Sequence, residues 1–134
     1  MLDYIKEYAF LARFNVTDSK TSAKWYSEKL GLIIDERFTK IDTWRQMKFP
    51  DINRVAIGLD SSHLPVVGNK NVLPTATFYV NNIEAARNEL IKKDVPVDPI
   101  INVGEGVSLA FFKDIDENNL VLREDQSIKN VMAI

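Results

Sequence analysis

"FNVTDSKTSAKWYSEKLGL", residues 14–32, passes from a strand end through a turn into a helix and out again. Phe10 to Val16 reads as the strand, and Asp18 stands where a side-chain oxygen caps a helix over Ser19 to Leu30. Ala23, Trp25, Tyr26 and Leu30 recur at the three-to-four-residue spacing of an apolar helix side, and Gly31 stops the helix. Outward from there, Leu32 to Phe38, Thr43 to Phe49 and Arg54 to Asp60 read as three strands, with Pro50-Asp51 as a turn. The order is β-α-β-β-β.

The same order returns. Ala76 to Val80 reads as a strand, Asn82 as the cap of a helix over Ile83 to Lys93, and Ile83, Ala86, Leu90 and Ile91 share one helical side. Strands around Pro99 to Val103, Val107 to Lys113 and Leu120 to Glu124 follow, with the turn Gly104-Glu105-Gly106 between the first two. Phe14 corresponds to Phe78, a shift of 78 − 14 = 64 residues, and Asp18 corresponds to Asn82. The expected architecture is α+β: one domain over 1–134, made of two tandem βαβββ modules, about 8–60 and 75–125. The Ser-, Gly-, Asn- and Pro-containing stretch 61–74 reads as their linker.

Composition narrows the function classes. A chain of 134 residues suffices for one core and is short for two ordinary domains. Seventeen basic against 19 acidic residues leave no basic excess for a phosphate backbone, so nucleic acid is not an expected partner. Without cysteine there can be no disulfide, thiolate nucleophile or cysteine-held metal. Met1 to Glu7 is charged where a signal peptide is apolar, and no stretch reaches the roughly 18 apolar residues of a membrane span. The expectation is a cytoplasmic protein with no membrane partner.

"FNVTDSKTSAKWYSEKLGL", "FYVNNIEAARNELIKKDV" (78–95) and "AFFKDIDENNLVL" (110–122), taken in this order with the duplication, resemble the vicinal oxygen chelate superfamily of glyoxalases, bleomycin-resistance proteins and extradiol dioxygenases. Asp94 departs from the family's usual glycine, and Ile115 and Glu117 replace the proline and glycine of its Asp-Pro-Asp-Gly turn. The resemblance implies a curved sheet around a cup, and a homodimer with pockets at or near the interface. In metal-using members each half supplies two ligands, His, Gln or Glu. Matched motif by motif, those positions fall at Leu11, Gly58, Thr75 and Val121. Leucine, glycine and valine side chains offer no donor and a threonine hydroxyl only a weak one, so a cup without metal or other cofactor is expected. The single histidine, His63, lies in the linker and reads as a solvated loop residue.

Strand alternation identifies the side chains that share the cup side. Phe10, Ala12, Phe14 and Val16 form a face fit to pack on a helix, which turns Leu11, Arg13 and Asn15 the other way. The same parity groups Gly58 with Asp60, Thr75 with Thr77 and Tyr79, and Val121 with Arg123. Arg13 either pairs internally with Asp60 or Asn15, or meets an anionic ligand. Arg123, near a strand end, reads as solvated. Trp44, Tyr79 and Phe111 serve either as packing or as pocket walls. Asp114, Asp116 and Glu117 read as a solvated turn, since they lack the spacing of a calcium loop.

The candidate ligand-binding residues are thus Arg13, Asn15, Trp44, Asp60, Thr77, Tyr79, Phe111 and Arg123. They suit a flat anionic or phenolic small molecule. Another reading is an isomerase, lyase or dioxygenase using a metal or a Tyr79/Asp60 acid–base pair; a third is a partner-binding module using the apolar tail Val131-Met132-Ala133-Ile134.

Overall fold

The computed structural model describes residues 10–52, 55–62 and 75–126. His63, most of the expected linker and the apolar tail lie outside the described residues. Two compact units divide the chain near residue 69, and each repeats the βαβββ order.

In the first unit, β1 (Phe10–Asn15) leads to α1 (Ser19–Leu30), then β2 (Ile33–Ile34), β3 (Trp44–Lys48) and β4 (Val55–Asp60). The sheet order is β1-β4-β3-β2, with β1 and β4 parallel and the rest antiparallel. Helix α1 packs on β2, β3 and β4. Its fully buried stripe is Ser19, Ser22, Ala23 and Tyr26, spaced as one helical face, while Trp25 and Leu30 sit half-buried at the margins. Tyr26 meets Phe14 with ring centroids 5.9 Å apart, and both are buried, as are Met47 and Leu59 of the sheet.

The ends of α1 are built as the sequence suggests, with one difference. Gly31 takes the left-handed conformation, φ 74°, and its N–H donates to the Ser27 carbonyl. Asp18 occupies the N-cap position, but its carboxylate accepts from the Thr21 hydroxyl at 2.5 Å rather than from a helix N–H. That bond holds the Asp18 carboxyl below its ordinary pKa.

The expected strand over Leu32 to Phe38 is corrected to two residues followed by a 3-10 turn, Glu36–Phe38. Asp35 causes the break. Its buried carboxylate accepts from the Arg37 backbone N–H (3.2 Å), from Arg37 Nε (2.9 Å) and from Arg37 Nη2 (2.7 Å), folding the chain back over one turn.

The second unit contains β5 (Ala76–Tyr79), α2 (Ile83–Lys92), β6 (Ile101–Gly104), β7 (Val107–Lys113) and β8 (Asn119–Asp125), in sheet order β5-β8-β7-β6. Asn82 caps α2 as expected, accepting from the Ala85 N–H at 3.1 Å; the Ile83 N–H donates to Glu124 of β8 at 2.9 Å, tying the helix start to the sheet. Ile83 and Leu90 are buried where α2 packs on β7 and β8, whose Ala110, Phe112, Leu120 and Leu122 are also buried, whereas Ile91 is exposed and leaves the expected apolar side.

Asp94 and Glu117 replace glycines of the resembled motif, and both stand at φ 64°. The backbone there takes the left-handed geometry that glycine suits best. At Glu117 the turn is held from below by buried Asp114, whose carboxylate accepts from the N–H groups of Asp116 and Asn118, each at 2.8 Å. The left-handed region costs a residue with a Cβ about 1 to 2 kcal/mol, partly offset by the greater unfolded-state freedom of glycine. Glu117→Gly should therefore stabilise the protein by about 0.5 to 1 kcal/mol in denaturant titration. A variant less stable than wild type would show that the Glu117 side chain contributes more than its backbone costs.

Candidate functional site

Register places the first unit's candidate residues in cross-strand rows on the sheet face turned from α1. Leu11, Ala56 and Lys48 form one row, Arg13, Gly58 and Gln46 the next, and Asn15, Asp60 and Trp44 the last. The alternation read from the sequence is thus the alternation of the sheet, but Phe10, expected to pack under a helix, is exposed.

Arg13 and Asp60 form an ion pair through one edge of the guanidinium, with Arg13 Nε 2.7 Å from Asp60 Oδ2. The other carboxylate oxygen, Oδ1, accepts from both the backbone N–H (2.8 Å) and the hydroxyl (2.6 Å) of Ser62. These Ser62 bonds, with Arg13 adding to them, hold the Asp60 carboxyl well below the ordinary aspartate range, against the opposing effect of burial. Asp60 is accordingly a poor general base, which weighs against a Tyr79/Asp60 acid–base pair. Arg13 Nη1 and Nη2 make no hydrogen bond among the described residues, and the side chain is 43% exposed. The internal pairing expected of Arg13 is thus present at Nε, and among the described residues its terminal amino groups have no hydrogen-bond partner.

Trp44 depends on Gly58. A Cβ built on Gly58 would collide with Trp44 Cη2 and Cζ2 and stand 3.0 Å from Cζ3, so the indole lies across the glycine. Arg13 is the strand partner of Gly58 on the other side. The ring from β3 thus lies over β4 at Gly58.

In the second unit the face turned from α2 carries the rows Thr77, Val121, Phe111 and Tyr79, Arg123, Leu109. Thr77 and Tyr79 are exposed, Phe111 is half-buried and Val121 is buried. Arg123 is not simply solvated as expected. Its guanidinium carbon lies 5.5 Å from the Tyr79 ring centroid, and Nη2 is 3.2 Å from Asp125 Oδ2. Its Nε is enclosed and has no hydrogen-bond partner among the described residues.

The positions matched to metal ligands do not fit that use. Leu11 is apolar, Gly58 lies beneath an indole, Val121 is buried and apolar, and Thr75 offers only a hydroxyl. Among the described residues no group of three or more His, Cys, Asp or Glu is placed to hold a metal ion.

Sequence reasoning missed Ser62 and Asp125. Both were accessible to it: Asp60-Ser61-Ser62 has the spacing of an Asx turn, and Asp125 shares the strand face of Arg123 two residues away.

The profile of the Glyoxalase/Bleomycin resistance protein/Dioxygenase superfamily matches residues 5–122. No curated protein matches the chain. Among solved structures, UcmS2 aligns with TM-score 0.70 at 22% identity, over 84% of this chain and 94% of its own. Lactoylglutathione lyase from Agrobacterium tumefaciens aligns with TM-score 0.67 at 14% identity, over 86% and 91%. TnmS3, an antibiotic binding protein from Streptomyces sp. CB03234, aligns with TM-score 0.61 at 21% identity, over 86% and 94%. At these identities the likeness concerns the fold.

The depressed pKa of Asp60 has a stability consequence of definite sign. Ionised Asp60 adds stability that is present above the ordinary aspartate pKa, about 3.9, and is lost as pH falls towards the lower folded-state value. Asp60→Asn should cost stability at pH 7 and progressively less below about pH 4, so that the two stability–pH curves converge. Asp18 titrates in both proteins and cancels. Parallel curves down to about pH 2 would mean that Asp60 ionisation is not linked to folding.

Proposed function

This chain belongs to the Glyoxalase/Bleomycin resistance protein/Dioxygenase superfamily, and we propose that within it the protein binds a small molecule without using a metal, the ligand being flat and anionic or phenolic. The observation that carries the reading is the Trp44 indole lying over Gly58, at a position matched to a metal ligand. An aromatic wall occupies the place of a donor. Arg13 supplies a charge beside it, with both terminal amino groups available among the described residues.

The fold serves both binding and catalysis, since TnmS3 is an antibiotic binding protein and the Agrobacterium protein a lyase. The donor set favours binding over metal chemistry. Protein exposed to excess zinc, nickel, manganese or iron and then desalted should retain no stoichiometric metal by elemental analysis, while a thermal-shift screen of aromatic acids and phenols should yield a stabilising ligand. One metal held per chain, or no hit from the screen, would overturn the proposal.

The protein is also proposed to act as a homodimer. Strand β6 is a sheet edge with Ile101 and Val103 exposed, and such an edge favours coverage by another chain. Sedimentation velocity at micromolar concentration should show a dimer; a monomer alone would reject it.

A further inference from the structure

We infer that the first unit's sheet face selects an aryl carboxylate, bound end-on by Arg13 Nη1 and Nη2 with its ring against the Trp44 indole. This deepens the proposed function and rests on the reading that the face holds a small molecule.

Three observations carry it. The first concerns which edge of the guanidinium is engaged. Asp60 takes Nε at 2.7 Å, while the end of the fork bearing Nη1 and Nη2 has no hydrogen bond among the described residues. That end presents two roughly parallel N–H groups, which match the two oxygens of a carboxylate; a phenolate offers only one.

The second is that the fork is held in place. Ser62 fixes Asp60 through two hydrogen bonds on Oδ1, and Asp60 fixes Nε through Oδ2. The arginine is therefore oriented before any ligand arrives, although its side chain remains 43% exposed. A charge already compensated by Asp60 also limits attraction for anions in general, so recognition relies on fork geometry.

The third is the flatness of the wall. Gly58 has no side chain to lift the indole from the sheet, and any Cβ there would strike it. Arg13 is the direct partner of Gly58 on the adjacent parallel strand, about 4.8 Å away, so its side chain rises from the same sheet face one strand from the glycine. A ring conjugated to a coplanar carboxylate can lie along the indole and extend its two oxygens towards Arg13.

Isothermal titration with matched probes tests this. 2-Naphthoate is the positive probe; 2-naphthol keeps the ring without the acid, 2-naphthylmethylammonium reverses the charge, and 1-adamantanecarboxylate keeps the acid without a flat ring. Naphthoate should bind at least about 10-fold more tightly than each of the other three, the scale expected for a bidentate charged contact. Arg13→Lys retains a cation for Asp60 and loses the fork, so it should weaken naphthoate by about 10-fold or more while leaving naphthol unchanged. Gly58→Ala, which displaces the indole, should weaken naphthoate and naphthol together.

Equal affinity for naphthol and naphthoate, equal affinity for adamantanecarboxylate, or undiminished naphthoate binding by Arg13→Lys would each overturn the inference while leaving a small-molecule face intact. If none of the four probes binds at millimolar concentration, the small-molecule reading of this face fails with it. Thermal unfolding of both variants at or near the wild-type temperature establishes that the comparison is between folded proteins.

Discussion

Strand β4 is hydrogen-bonded on both sides, to β1 and to β3, and this double pairing organises the first unit. Each β4 residue must suit two neighbours on its own sheet face. Ile57 and Leu59 meet that demand on the helix side by filling space between Ala12 or Phe14 and Met47 or Arg45. On the other side the demand is met by absence and by charge. Gly58 leaves room for an indole arriving from β3, and Asp60 reaches the arginine of β1. A larger residue at 58 would force Trp44 away, and a neutral apolar residue at 60 would leave Arg13 without its anchor.

The second unit repeats the topology and changes the chemistry. Arg13 pairs with Gly58 as Thr77 pairs with Val121, and two residues further the rows hold Asn15 with Asp60 and Tyr79 with Arg123. The position that carries an anchoring aspartate in one unit carries an arginine in the other. Arg123 rests on an aromatic ring and shares Asp125 on its own strand. A cation over an exposed ring contributes only about 0.5 to 1 kcal/mol, so Arg123 is steered more than locked. The two units share the alternation that their core faces need, while their opposite faces carry different side chains.

Much of this was legible in the sequence. Asp18 and Gly31 bracket α1, the period of two in FLARFN and ATFY separates the sheet faces, and both units were visible as repeats of one order. What failed did so for local or long-range reasons. The strand expected through Phe38 ended early because Asp35 bonds its own neighbour Arg37, a side-chain choice that an apolar run does not reveal. Asp94 and Glu117 looked like simple departures, yet their positive φ shows that both turns need the left-handed geometry despite a side chain at those positions. At the candidate site, alternation told which side chains share a face but not which one touches which. That information lies in strand register and side-chain reach: register places Arg13 beside Gly58, and the Trp44 ring, opposite Asp60 in the ladder, extends diagonally over that glycine.

Binding energy from such a face depends less on the number of polar groups than on how many are already oriented. A long arginine side chain free in water loses rotamer entropy when a ligand fixes it, and that loss reduces affinity. Here Asp60 has already fixed Nε, and Ser62 has already fixed Asp60. The ordering occurs on folding, when the chain end of β4 turns at Ser61-Ser62. Because Asp60 remains ionised through most of the pH range, the orientation of Arg13 persists wherever the unit is folded and Asp60 is charged. The aspartate, which as a base would be ineffective, is suited to holding another residue's charge in place.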